Sequence, residues 1–236
     1  MTVGVFSLYK GMRIRQVKRK DVSAMRRCFV FCAADFHGLR ELPRSGDLLI
    51  AADAGYRLCR NIGLIPHLII GDFDSMDEPS DLPPTSHVER VPVMKDDTDT
   101  MLALKAGLSR NCAEFYLYGA SGGSRLDHTL ANLQGLLYLC RHQAKGYLYG
   151  NNFVWTAIEN DALDIPRTVP DGLLSVFALT GRADGVSVSG TLYPLRRATL
   201  YPDFPLGVSN HITGETARVS VQNGALLIGW ELPPIT

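Results

Sequence analysis

The sequence predicts an α/β fold: an open, mostly parallel sheet followed by a smaller all-β, sandwich-like C-terminal domain. Three observations predict it. Up to about Ile158, short apolar runs alternate with helical patterns. Several of those runs are continuous in apolarity, as strands buried on both faces of a parallel sheet are. After about Asp161, Pro166, Pro170 and Asp171-Gly172 punctuate the chain and no useful helical pattern recurs.

The first half holds six strand-like runs: Cys28–Ala33, Asp47–Ala52, His67–Ile70, Val88–Met94, Ala113–Tyr118 and Lys145–Tyr149. Between them lie three helical patterns. Ala54–Gly63 ends on a glycine, a common helix stop. Thr98–Leu108 spaces Met101, Leu102, Leu104 and Leu108 helically, and Asp127–His142 aligns Leu130, Leu133, Leu136, Leu137 and Cys140 in one stripe. Alternation of this kind implies a sheet with right-handed crossovers. In the second half, Leu173–Leu179, Gly185–Ser189, Arg218–Val221 and Ala225–Trp230 read as strands, with Asn223-Gly224 placed as a two-residue hairpin turn. The expected divisions are 1–27, 28–160 and 161–236.

Residues 1–27 carry Lys10, Arg13, Arg15, Lys18, Arg19, Lys20, Arg26 and Arg27 against the single acid Asp21. No apolar segment with a small-residue cleavage site accompanies them. A solvated arm, or an upstream extension of the reading frame with Met25 near the start, accounts for them better than targeting does. Across the chain 24 basic residues balance 24 acidic ones, which removes any electrostatic argument for nucleic acid or an anionic membrane. No apolar run approaches the ~20 residues of a membrane span. The five cysteines form no Cys-x-x-Cys pair and sit mostly in apolar runs, as buried reduced thiols of a cytoplasmic enzyme would.

Four polar segments follow predicted strands, where open α/β sheets bind ligands. They are Ala51-Ala52-Asp53-Ala54-Gly55, Gly71-Asp72-Phe73-Asp74-Ser75, Lys95-Asp96-Asp97-Thr98-Asp99, and the glycine-rich Gly119–His128. Asp72 and Asp74, two apart in extended chain, place both carboxylates on one side. Like charges so held invite a hard dication, and magnesium joins carboxylates to substrate phosphates; a polar turn with Asp accepting backbone N–H groups is the bland reading. Asp96 and Asp99, three apart at a helix start, share a face, although acids there also simply stabilise the helix, with Asp97 or Thr98 as cap. In the fourth segment, glycines let backbone N–H groups approach phosphate beside a helix N-terminus, and Ser121, Ser124 and Arg125 add donors. It is neither a Walker A sequence nor a clean dinucleotide fingerprint. His128 has no second histidine four residues away, so a structural or substrate-facing role fits it better than metal ligation.

On these four runs, taken in order, the chain resembles the thiamine pyrophosphokinases. The match is good over about Val30 to Trp155, and the β-rich tail with Pro205–Asn210 is similar to that family's thiamine-binding domain. The resemblance implies transfer of diphosphate from Mg-ATP to the thiamine hydroxyl, giving thiamine diphosphate and AMP. It further implies a homodimer with thiamine at the subunit interface. Carried over, Asp72, Asp74, Asp96 and Asp99 hold magnesium, while Asp53 and Asp127 complete the acidic ring. Ser121, Gly122, Gly123, Arg125 and His128 face the nucleotide, and Ser209, Asn210 and Trp230 face thiamine; Trp230 equally suits the core of a terminal strand. Asp99 or Asp127 is the candidate proton acceptor. The sequence departs from the family where Ala33-Ala34-Asp35-Phe36 replaces a glycine-bearing turn and where Ser124 lengthens the glycine-rich loop. A diphosphokinase for another hydroxymethyl heterocycle, such as a pterin, and a non-catalytic thiamine or nucleotide sensor are the alternatives.

Overall fold

The computed structural model describes residues 26–71, 86–90 and 96–235. The elements run β1 (Arg26–Phe31), β2 (Leu48–Ala52), α1 (Gly55–Asn61), β3 (Leu68–Gly71), β4 (His87–Arg90), α2 (Asp99–Ser109), β5 (Cys112–Tyr118), α3 (Leu126–Arg141) and β6 (Lys145–Tyr149). After them come β7 (Phe153–Glu159), β8 (Ala162–Pro166), β9 (Leu173–Ala178), β10 (Ala183–Ser189), β11 (Leu195–Leu200), β12 (Gly207–His211), β13 (Thr216–Ser220) and β14 (Ala225–Glu231).

A ten-stranded sheet takes the order β12-β9-β14-β7-β6-β5-β1-β2-β3-β4. From β6 to β4 every pairing is parallel. From β6 through β7, β14 and β9 to β12 every pairing is antiparallel. Strand β1 sits at the reversal of order, with β2 on one side and β5 on the other.

Alternation along β1 explains the layers. Cys28 and Val30 enter the core beneath α2 and α3, beside Leu104, Leu136 and Leu139. Phe29 and Phe31 point the other way, toward Tyr56 and Cys59 of α1. All four are fully buried, each contributing roughly 1.5–3 kcal/mol for the larger side chains. Helix α3 inserts Leu136 and Leu139, whereas Leu130 is exposed and falls outside the expected stripe. Gly63 adopts φ +73 just past α1, the left-handed stop that the sequence implies.

In the C-terminal half, β11-β10-β13-β8 form a second sheet. It packs over β9 and β14 around Val176, Val186, Val219 and Ile228, giving the expected sandwich. One expectation is overturned. Asn223-Gly224 does not close a hairpin, because β13 pairs with β8 and β10 whereas β14 pairs with β7 and β9. The dipeptide instead carries the chain from one sheet to the other, with Gly224 at φ +110. The sequence reading also missed β7, β8, β11 and β12. Charges or prolines interrupt β8 and β11, and β12 is a short edge strand.

Arg26 and Arg27, grouped with the basic arm from sequence, belong to β1. The Arg27 guanidinium donates to Asp47 (Nε to Oδ1, 3.1 Å) and to the Leu42 carbonyl, and lies 5.1 Å from the Phe29 ring centroid. Residues 1–25 lie outside the described residues. Among the described residues all five cysteines are free and four are buried, and no helix is long and apolar enough to cross a membrane.

Candidate active site

Strand ends converge at the β1/β5 reversal, where a crevice opens in sheets of this kind. The chain leaving β1 and the chain leaving β5 are stitched together: Cys32 N donates to the Tyr118 carbonyl and Ala34 N to that of Gly119, each at 2.8 Å. Gly119 turns with φ +62, where a side chain would run into the Cys32 carbonyl. Beyond it, Gly122 and Gly123 adopt φ +86 and +69. Asn132 in α3 donates to the Ala120 carbonyl at 2.8 Å and anchors the loop to its helix.

Beside this loop, β2 is followed directly by Asp53, which has φ +47 and donates its N–H to the Ile70 carbonyl at 2.7 Å. Glycines explain the close packing there. A Cβ on Gly71 would lie 2.9 Å from the Asp53 Cα, and one on Gly55 would overlap the Phe31 carbonyl. The third contributor is the start of α2. Thr98 is its N-cap and accepts from Met101 N at 3.1 Å, so the cap is Thr98 rather than Asp97. Asp99 occupies the first turn, where a carboxylate is favoured by the helix dipole. Thr100 and Cys32 approach to 3.4 Å between Oγ1 and Sγ, joining α2 to β1.

These elements enclose a cavity of about 390 Å³. Its lining includes Asp35, Asp53, Asp99, Gly122, Gly123, Ser124, Arg125, His128 and Asn132. Of the residues expected from sequence, it therefore brings together Asp53, Asp99, Gly122, Gly123, Arg125 and His128. Asp72 and Asp74 lie outside the described residues. Asp96 is exposed, ahead of the α2 cap, and does not line the cavity. Ser121 also falls outside the lining, near Gly150, whose added Cβ would meet its Oγ at 3.3 Å.

Asp127 is placed differently from the other acids. Its exposed carboxylate is gripped by Arg125, Nε to Oδ1 at 3.0 Å and Nη2 to Oδ2 at 2.8 Å. Arg125 Nη2 also lies 2.8 Å from His128 Nε2. The hydrogen bond from Arg125 holds the Asp127 carboxyl down at about 2, which makes it a weak proton acceptor. Asp127 orients a cation at the rim of the cavity rather than lining it.

Of the residues expected to face thiamine, Ser209 and Asn210 lie on the edge strand β12 and Trp230 on the interior strand β14. Ser209 is exposed at φ +57, and its N–H donates to Ser175 Oγ at 3.2 Å. The register of β12 shifts between Gly207 and Asn210, a bulge that turns Asn210 inward. Asn210 is buried, accepts from Tyr193 N and His211 N at 2.9 Å each, and donates to the Tyr193 carbonyl at 2.7 Å and Thr191 Oγ1 at 3.2 Å. A largely apolar cavity of about 240 Å³ beside it is lined by Val176, Tyr193, Leu206, Val208 and Asn210, among others. Trp230 is half-buried near the end of β14 and packs against the sandwich core. Sequence reasoning missed Asp35 as a cavity residue. Its sequence signal is its position after the first strand, within the Ala33-Ala34-Asp35-Phe36 run that departs from the family's glycine-bearing turn.

Hard oxygen donors, Asp53 and Asp99, face the same cavity, and a magnesium ion suits that donor chemistry. Among the described residues no group of three candidate ligands is clustered tightly enough to hold an ion.

Comparisons with known proteins place this geometry. Residues 39–148 match the family described as thiamin pyrophosphokinase, catalytic domain, and residues 162–226 match thiamin pyrophosphokinase, vitamin B1 binding domain. A thiamine pyrophosphokinase of Bacillus subtilis is 26% identical over 186 residues, covering 77% of this chain and 86% of the relative. The crystal structure of the Bacillus subtilis enzyme superposes with a TM-score of 0.79 at 23% identity, covering 88% of this chain and 100% of that one. The thiamin pyrophosphokinase of Geobacillus thermodenitrificans gives 0.76 at 21% identity, covering 88% and 98%. That of Candida albicans gives 0.69 at 14%, covering 89% and 90%. At these identities the structural likenesses show a shared fold.

Proposed function

The chain belongs to the thiamine pyrophosphokinase family, and from that membership we propose that the cavity at β1 and β5 takes Mg-ATP while the β12 edge takes thiamine. The protein is a diphosphotransferase. The thiamine hydroxyl oxygen bonds to the β-phosphorus of ATP, the bond from that phosphorus to the α,β-bridging oxygen breaks, and AMP leaves. The observation that carries the nucleotide assignment is the juxtaposition of the glycine-rich loop, Arg125 and the carboxylates of Asp53 and Asp99 around one cavity at the reversal of strand order.

In the proposed division of roles, Arg125 and the N-terminal end of α3 meet phosphate oxygens, as cations and helix N-termini do. Magnesium would be held by Asp72, Asp74, Asp96 and Asp99, with Asp53 completing the acidic set; when bound, it neutralises charge on the phosphate oxygens. Asp99 is the better proton acceptor of the two candidates. It lines the cavity, whereas Asp127 is held by Arg125. Residues 28–160 form the nucleotide half and 161–236 the thiamine half, a division supported by the two family matches.

Ser209 and Asn210 sit on β12, five strand positions from β5. At about 4.8 Å per strand that is about 24 Å across the sheet. A homodimer that brings one subunit's β12 edge to its partner's cleft would close this gap. Cytoplasmic residence is part of the same reading.

Purified protein is expected to form AMP from Mg-ATP only when thiamine is added, with thiamine diphosphate in equal amount. Release of ADP, or no turnover, overturns the reading. A panel containing a hydroxymethylpterin separates the pterin alternative, and binding without product separates the sensor.

A further inference from the structure

The turn after β1 is not only a wall of the cavity. Asp35 Oδ2 accepts the Gly123 N–H at 3.0 Å, joining two segments 88 residues apart. The same oxygen would lie too close to a Cβ on Gly122 for any side chain there, so the carboxylate is packed against the bend of the loop. The bend consists of two successive left-handed glycines. Glycine adopts that conformation without strain but gives up more backbone freedom than any other residue in holding it. Neighbouring backbone bonds end at Gly119, and the Asn132 anchor ends at Ala120. Among the described residues, the next tie from outside the loop is Asp35.

We infer that Asp35 is a positioning residue for the nucleotide: its carboxylate pins the glycine-rich loop so that Gly122, Ser124 and Arg125 are already set around the cavity before ATP arrives. The inference rests on the nucleotide assignment given above. A loop ordered in the free protein loses less freedom on binding, so the effect appears as nucleotide affinity rather than as the rate of the chemical step. What Asp35 supplies is a hydrogen-bond acceptor at a fixed place. An asparagine retains that acceptor without the charge, whereas an alanine or a serine does not reach Gly123.

The test compares D35A, D35S and D35N with the unaltered protein in three measurements. These are steady-state KM and kcat with Mg-ATP, calorimetric binding of Mg-α,β-methylene-ATP, and amide exchange at Gly122–Arg125 in the free protein. D35A and D35S are expected to raise KM and Kd for nucleotide up to about tenfold, the size of one intramolecular hydrogen bond, with kcat changing far less. Exchange at Gly123 should accelerate in both. D35N should recover most of the affinity and the slow exchange. Asp35 is exposed, so the variants are expected to fold, and melting curves check that. Unchanged affinity in D35A and D35S overturns the inference. So does tighter nucleotide binding in D35A and D35N alike, which would mean that the carboxylate repels polyphosphate. D35N failing as badly as D35A overturns it too, because charge rather than the acceptor would then be needed. If the unaltered protein made no AMP, the functional reading would fall, while calorimetry and exchange would still judge Asp35.

Discussion

In the parallel half of the long sheet, the strand ends of β1, β2 and β5 present Asp35, Asp53 and Arg125 to a cavity of about 390 Å³. In the antiparallel half, Asn210 makes four hydrogen bonds within its own subunit. Both regions hold polar groups beside a cavity, and they differ in what those groups already bind: Asn210 lines its cavity of about 240 Å³ with its amide engaged by Tyr193, Thr191 and His211. The difference follows from topology. Parallel strands joined by helices end side by side and leave a crevice where the order reverses. A β-sandwich edge must satisfy its own backbone, and the Ser209 bulge directs the Asn210 side chain to that task. Polarity at a motif position is therefore weak information about ligand contact until the direction of the side chain is known.

The sharpest test of this contrast lies on the parallel side. Asp72→Asn and Asp74→Asn are expected to abolish thiamine-dependent AMP formation while the protein still folds, and Asp99→Asn to lower kcat by about 10²–10³-fold. Near-normal rates in the Asp72 and Asp74 variants would break the metal assignment. On the antiparallel side, Asn210→Ala should act first on stability, by about 2 kcal/mol in denaturant melts, because the Tyr193 and Thr191 groups that it satisfies are left without it. A variant that folds normally and loses only thiamine affinity would erase the contrast. The smallest effect belongs to Asp127. Asp127→Asn is expected to weaken nucleotide binding a few-fold, through a less well oriented Arg125, and to leave kcat nearly intact.

The pH dependence of that pair has a definite sign. The Asp127 carboxyl is lowered from 3.8 to about 2 because Arg125 donates to it. Its folded-state contribution is therefore present above 3.8 and is lost as pH falls through about 2. A carboxyl-carbon titration should find the midpoint near 2. Nucleotide affinity should show no inflection from Asp127 anywhere in the neutral range.

Much of the fold was legible because burial leaves a mark on residue type. The continuous apolarity of Phe29-Val30-Phe31 and Leu48-Leu49-Ile50 records strands covered on both faces. The Asp53 and Gly119–His128 runs were legible because close backbone approach at Gly55 and Gly119 tolerates no side chain. Strands β8 and β11 were not legible, since Asp164, Arg196 and Arg197 break their apolar pattern on exposed positions. Asn223-Gly224 misled for a related reason: a turn dipeptide specifies local backbone shape, not which sheet the next strand joins.

By itself the sequence determined the α/β-then-β order, the four polar segments and, through them, the family. Those properties reside in local periodicity and in residues next to one another along the chain. Only the tertiary structure decided that Asp35 reaches Gly123 across 88 residues, that Asp127 turns to Arg125 rather than into the cavity, and that Asn210 points inward. The first and third depend on the direction of a side chain relative to a segment distant in sequence, the second on which way a rim side chain turns from the cavity, and no pattern of nearest neighbours encodes these directions.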